Sequence, residues 1–476
     1  MGVLRHLIVV LPGIGGSVLA GPEGLTAWDV TAGDIPRAVI DPRNLAIERE
    51  LVPTGLVESL TVLRRWLVVP GYEGLTHHLR RGFGAGLGVV DYRVGEPVPA
   101  GTDVLRVPYD FRRSIVESAD HLGRAVTAAV GESGRRVVVV AHSMGGLVAR
   151  YWVGACGGWR HCRGLVTLGT PHRGAPRALD WLFNGVCLGV LRLRAVTRVL
   201  RDWPSMYELL PQYPAVLPEV GEPLEPTGLA ADLVRPLGSP HAGAVVLRRA
   251  AAAARVHADL AAAWEEIPGG RQPGVWPYFG RGHTTLNRAV VRRGRVRVAK
   301  ADPEWRSNVG WLGDGTVPAI SSIPVELSEL PEIAQAVADK HGAMGSTAQV
   351  MERLVTMQGE DLPIRVSARP AMPWVGWDAD EIVATETEIE LGAKLHYGAA
   401  GPQNMTGSAA TIVVSGGAAP VSAGMTLQEQ GWRVVLPPLR EGTYQLDIEV
   451  KDAWYGTSVY ASTPLAVDDA GEEGPA

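Results

Sequence analysis

The stretch Val137-Val138-Val139-Val140-Ala141-His142-Ser143-Met144-Gly145-Gly146 decides how this chain reads. Four successive valines predict a short strand buried on both faces. The residues after Met144 suit a helix to about Cys156. A serine at the sharp turn between such a strand and helix projects its hydroxyl above the sheet edge. The turn is strained, so the positions two residues either side must be small, which Ala141 and Gly145 are. The helix also aims its first amides and the positive end of its dipole at the same point. A bare small-x-Ser-x-Gly match is common, but this context makes it specific, and Ser143 is the candidate nucleophile.

A serine hydroxyl is a poor nucleophile until a base takes its proton, and the base needs a carboxylate to orient it. On a strand–turn–helix nucleophile the chain order is Ser, acid, His. Asp314, in Gly313-Asp314-Gly315-Thr316-Val317-Pro318, and His341, in Lys340-His341-Gly342, meet that order. Each also has a plain reading, as a turn aspartate and a surface histidine before a helix. His142 and His172 compete for the role of base. His142 should hydrogen-bond or pack behind the turn, whereas His172, in Thr170-Pro171-His172-Arg173-Gly174, suits the site wall. The tetrahedral intermediate needs two N–H donors. Met144 supplies one, and Pro12-Gly13-Ile14-Gly15-Gly16-Ser17 supplies the other through Ile14, with Gly13 and Gly15 letting backbone approach substrate. A nucleotide-binding glycine loop is the rival reading, but the Gly-x-Gly-x-x-Gly pattern is missing.

Further strands are expected at Leu7–Leu11, Leu105–Tyr109 and Leu165–Leu168. A helix is expected after Ser114, with Ser114 and Glu117 as a capping box. Strands alternating with helices imply an α/β class with a parallel sheet, the α/β-hydrolase fold. Residues 21–72 and 185–270 are too long for plain connections and read as lid or cap insertions. The 476 residues exceed one core, so a division is expected: a hydrolase domain at 1–360, a C-terminal Ig-like β-sandwich at 361–467 and an acidic tail at 468–476. The alternation of Tyr444, Leu446, Ile448 and Val450 carries the sandwich reading.

Formal net charge is −5 with both signs mixed, which argues against a nucleic-acid partner. Three cysteines make no disulfide framework, and no cluster has metal-ligand spacing, so neither metal nor cofactor is expected. The apolar run in residues 1–20 is broken by Pro12, Gly13, Gly15 and Gly16, so it reads as strand and loop and not as a signal peptide. No run of some 18 apolar residues occurs. The expected location is cytoplasmic, with transient contact at a membrane surface.

These motifs together resemble the lecithin:cholesterol acyltransferase family, over roughly residues 5–360. The carriers are the Leu11–Ser17 loop, Val107-Pro108-Tyr109-Asp110-Phe111-Arg112, the Ser143 turn, Gly169–Gly174, Pro204-Ser205-Met206-Tyr207-Glu208-Leu209-Leu210-Pro211 and Gly313–Pro318. The resemblance implies a Ser143–Asp314–His341 triad, an oxyanion hole from Ile14 and Met144, and a lid near 25–70 whose Trp28 and Trp66 contact acyl chains. It implies a lipid or phospholipid ester substrate, turned over by hydrolysis or acyl transfer. Asp110 and Arg112 are expected to pair structurally. Ala141 and Phe111 depart from the family's usual glycine and tryptophan, and the sandwich lies outside its core. Another serine esterase or thioesterase is the alternative. So is a membrane-damaging lipase effector regulated by a protein partner docked on the sandwich.

Overall fold

The computed structural model describes the chain apart from residues 1–3, 30–40, 59–60, 64–66, 70, 132, 189–190, 193, 227–239, 294, 304–311, 328–334, 338–340, 343–347, 360–373, 379–381, 386, 397–407, 417–419, 429–430, 452–457 and 469–476. Its centre is a seven-stranded sheet. In chain order the strands are β1 (Leu7–Leu11), β2 (Val89–Asp91), β3 (Val104–Arg106), β4 (Val137–His142), β5 (Cys162–Leu168), β6 (Gly274–Gly280) and β7 (Gln335–Val337). They lie in the order β7-β6-β5-β4-β1-β3-β2, and every neighbouring pair is parallel.

The valine run explains why the sheet is covered on both sides. Val137 and Val139 face one core, with the helices α2 (Ile115–Val130), α3 (Met144–Gly154) and α7 (Pro240–Glu265). Val138 and Val140 face the other, with α1 (Glu73–Phe83) and α8 (Ala348–Met357). All four side chains are buried, as the period of two along a strand requires when both faces are packed. Between α3 and α7 lie α4 (Pro176–Phe183), α5 (Arg194–Leu200) and α6 (Pro204–Glu208).

The start of α2 differs from expectation. Ser114 caps it, accepting from the Val116 N–H at 3.2 Å, but Glu117 is exposed and completes no box. Glu208 does that work from α6. Its carboxylate accepts from the Ile115 N–H at 2.7 Å and the Ser114 hydroxyl at 2.5 Å. Burial raises the Glu208 pKa, and those two donors oppose the shift. The Pro-Ser-x-Tyr-Glu motif is therefore a clamp. Ser205 also donates to the Phe111 carbonyl at 2.7 Å.

The first insertion supplies Thr26–Trp28 and Val52–Leu56, which flank Ser17–Ala20 in a three-stranded antiparallel sheet. Arg112 holds it down. The guanidinium is fully buried, pairs with Asp110 at 2.7 Å and donates to the carbonyls of Ala46 at 2.5 Å and Arg49 at 3.0 Å.

The C-terminal strands are β8 (Trp374–Asp378), β9 (Ile382–Ala384), β10 (Ile389–His396), β11 (Ala409–Ser415), β12 (Val421–Gln428), β13 (Gly431–Leu436), β14 (Gly442–Lys451) and β15 (Ser458–Asp468). They form a β-sandwich around Leu391, Ile412, Trp432, Leu446 and Ile448. The two layers are continuous through β12, whose first half pairs with β11 and whose second half pairs with β13. The expected boundary near residue 360 and the acidic tail beyond Asp468 lie outside the described residues. No described helix is long and apolar enough to cross a membrane.

Candidate active site

β4 ends at His142 and α3 begins at Met144, so Ser143 carries the whole change of direction. Its φ is 51°, a left-handed value that non-glycine residues seldom adopt and that the surroundings must enforce. The Ser143 N–H donates to the Leu168 carbonyl at 2.8 Å, and its own carbonyl accepts from the Gly146 N–H at 3.0 Å. A Cβ on Gly145 would overlap the Pro12 carbonyl oxygen, and one on Gly146 would overlap the Thr170 side chain. Small residues are required here because the neighbouring loops close over the turn.

Loops at the carboxyl ends of other strands bring two more groups to this serine. His341 Nε2 lies 2.9 Å from Ser143 Oγ, and His341 Nδ1 lies 2.8 Å from Asp314 Oδ2. The Asp314 side chain is fully buried. Its Oδ1 accepts from the N–H groups of Thr316 at 2.9 Å and Val317 at 2.6 Å, which fix the orientation of the carboxyl group. The Asp314 carbonyl also accepts from the His341 N–H at 3.0 Å. A carboxylate on Nδ1 fixes the tautomer with the proton there, leaving Nε2 free to accept from serine. The acid loop is braced in turn. His283 and Gly313 exchange backbone hydrogen bonds, and Thr285 Oγ1 accepts from the Gly313 and Gly315 N–H groups at 3.3 and 3.1 Å.

The glycine loop after β1 packs directly on this site, since a Cβ on Gly13 would sit 2.8 Å from Ser143 Cβ. Its backbone is held at three points. The Pro12 carbonyl accepts from Tyr109 at 2.8 Å, the Gly13 N–H donates to the Tyr72 hydroxyl at 2.7 Å, and the Gly15 carbonyl accepts from the Trp28 indole at 2.8 Å. Beside the loop opens a narrow apolar pocket, lined by Ile14, Gly15, Trp28, Phe111, Trp181 and Trp203, with Val196, Val199 and Leu200 of α5. Trp28, Phe111 and Trp203 meet edge to face at 5.8 and 5.7 Å. Trp203 spends its indole N–H on the Leu45 carbonyl at 3.0 Å. With both indole N–H groups satisfied, these rings offer only apolar surface to an occupant.

The structure revises two expectations. His172 does not line the site. It is buried, with Nε2 3.1 Å from Thr167 Oγ1 and Nδ1 3.5 Å from Arg150, which itself pairs with Glu326. Burial and then the Arg150 and Arg173 charges push its pKa well down, so a neutral histidine is locked inside a polar network. The Gly13 amide is committed to Tyr72 and is not free for substrate. Trp66 lies outside the described residues. Tyr72, Trp181 and Trp203 have no motif in the sequence to mark them; Tyr72 and Trp203 arrive through the insertions and Trp181 on α4.

Residues 98–222 match the model of the lecithin:cholesterol acyltransferase family. That stretch of the chain is similar to the lecithin:cholesterol acyltransferase family. The matched residues include the Ser143 turn, the Asp110–Arg112 pair and the Glu208 clamp. Among solved structures, the crystal structure of the Tle4–Tli4 complex is similar with a TM-score of 0.51 at 15% identity, covering 74% of this chain and 98% of that one. It shows a shared fold. Bacillus licheniformis lipase BlEst2 in its mature form matches at 10% identity with a TM-score of 0.35, over 74% of this chain and 91% of that one. No curated protein sequence matches. The family match covers the stretch that carries the Ser143 turn, and the structural match is one of fold.

Proposed function

We propose that this protein is a serine lipase, phospholipase or O-acyltransferase that acts on lipid acyl esters through Ser143, His341 and Asp314. The observation that carries this is the unbroken hydrogen-bonded line Ser143–His341–Asp314, set beneath a glycine loop and beside an apolar pocket. In this reading His341 Nε2 takes the Ser143 proton as Oγ attacks the ester carbonyl. The carbonyl electrons move to an oxyanion held by the Ile14 and Met144 amides. As the tetrahedral species collapses, Nε2 returns the proton to the departing alcohol, leaving an acyl-serine. Water or an acceptor alcohol then attacks, with His341 again as base. Asp314 stabilises the imidazolium in both halves. The pocket along Ile14 takes the acyl chain.

Treatment with a fluorophosphonate probe tests the nucleophile. Wild-type protein is labelled and Ser143→Ala is not; equal labelling of both would sink the proposal. Lipid profiling with and without a sterol, diacylglycerol or lysolipid acceptor then separates hydrolysis from transfer. The similar Tle4–Tli4 structure is of a complex, and on that ground we also propose a protein partner for this chain. The sandwich is its proposed docking element. Co-purification that survives only when residues 374–468 are present tests it.

A further inference from the structure

His142 precedes the nucleophile, and its ring lies 4.9 Å from the ring of His341. Neither nitrogen is idle. Nδ1 is 3.0 Å from the Tyr72 hydroxyl, and Nε2 is 2.9 Å from the backbone carbonyl of His341. Tyr72 in turn accepts from the Gly13 N–H at 2.7 Å. The proton positions follow. A carbonyl only accepts, so His142 Nε2 carries the hydrogen and donates to His341. Its Nδ1 is then the acceptor, and the single Tyr72 proton goes there. The tyrosine oxygen is left to accept from Gly13. Each donor and acceptor in Gly13–Tyr72–His142–His341 has one partner, all pointing the same way along the line.

This line links the two parts of the site that must be set independently of substrate. One end is the loop that bears Ile14, and the other is the backbone of the base. Tyr72 and His142 are buried, at 4% and 6% exposure. The loop is moulded to the tyrosine, since a Cβ on Gly16 would lie 2.8 to 2.9 Å from the Tyr72 ring and hydroxyl. Tyr72 closes the first insertion. Its N–H donates to the Val57 carbonyl at 2.9 Å, and the Val57 N–H donates to the Gly16 carbonyl at 3.0 Å. The depressed pKa of His142, about 3 through burial and the nearby His341 charge, keeps the ring in the single-proton form that the line requires.

We propose that Tyr72 and His142 are positioning residues that set the oxyanion loop and the catalytic histidine together from one buried point. This rests on the reading of Ser143, Asp314 and His341 given above. Neither residue touches the reacting atoms. Their effect is to hold donor and base at one spacing, which matters because small displacements of such groups are costly to rate.

The test uses the full chain with p-nitrophenyl butyrate and a fluorophosphonate. Tyr72→Phe keeps the ring and removes only the hydroxyl. It is expected to lower kcat by about tenfold to a hundredfold, with KM within about twofold and labelling slowed in parallel. His142→Gln loses the Tyr72 bond but retains an amide able to reach the His341 carbonyl, and should show a loss of the same order. Because both act through one line, the double variant should be no slower than the slower single variant. Wild-type kcat in Tyr72→Phe would overturn the proposal even if thermal stability falls, because that is the signature of a packing role. Multiplying losses in the double variant would overturn it as well. Absence of Ser143 labelling in the wild type would instead refute the nucleophile assignment, whereas labelling of wild type and Tyr72→Phe at equal rates would refute only the relay.

Discussion

Filling the apolar pocket should change which acyl chains the enzyme prefers, and the size of the effect can be worked out. The pocket wall includes Val199, half-buried on α5, facing the space bounded by Ile14, Trp28 and Trp203. Burying one methylene contributes about 0.8 kcal/mol, which is about fourfold in kcat/KM when it is realised in the transition state. A butyryl and an octanoyl ester differ by four methylenes. The octanoyl ester should therefore be favoured by about 3 kcal/mol, or about 200-fold, if all four enter the pocket. Val199→Trp places an indole in that space. It should flatten the dependence on chain length beyond butyrate while changing the rate on the acetyl ester less than about threefold, because the reacting end is untouched. The assay is kcat/KM on p-nitrophenyl esters from acetate to dodecanoate, with thermal unfolding as a control for folding. A wild-type slope near zero, or an unchanged slope in folded Val199→Trp, would refute the acyl-pocket assignment.

Four further outcomes are expected. Gly145→Val should abolish activity and fluorophosphonate labelling, because its side chain would collide with the Pro12 carbonyl and push the glycine loop off Ser143; a labelled variant would contradict this. Glu208→Ala should destabilise the fold by about 2 kcal/mol in urea melts, since it strands the buried Ile115 N–H. Stability should fall on acidification: burial lowers His257 to about 4 from 6.5, so between those values the unfolded chain binds a proton that the native state does not. That histidine contributes a loss of about 1.4 kcal/mol per pH unit across this window, and His257→Gln should show a shallower slope than wild type in urea melts from pH 7 to 4. Gly376 of β8 packs on Gly282, beside the His283 that pairs with Gly313, and a Cβ there would lie 2.8 Å from the Gly282 carbonyl carbon. Gly376→Val should therefore slow labelling of Ser143 by about tenfold through the acid loop; an unchanged rate would show that the sandwich does not bear on the site.

What the sequence determined by itself was local. Four valines with alternate residues on opposite faces specify a strand covered on both sides, whatever lies elsewhere. Ala141 and Gly145 around Ser143 specify a turn that few other residues permit, and Gly313 and Gly315 mark a loop that turns Asp314 inward. These signals sit within a few residues of one another, so the chemistry of neighbours is enough to read them. The tertiary structure decided everything that depends on distant partners. Glu208 caps a helix 93 residues away in place of the nearby Glu117. His172, adjacent to a site motif, turns inward because Thr167 and Arg150 satisfy it there. Tyr72 has no motif at all, yet its hydroxyl reaches Gly13 and His142 because the first insertion returns to the sheet edge at that point. Buried polar groups must find partners, and which partner is within 3 Å is a property of the folded chain, not of the order of its residues.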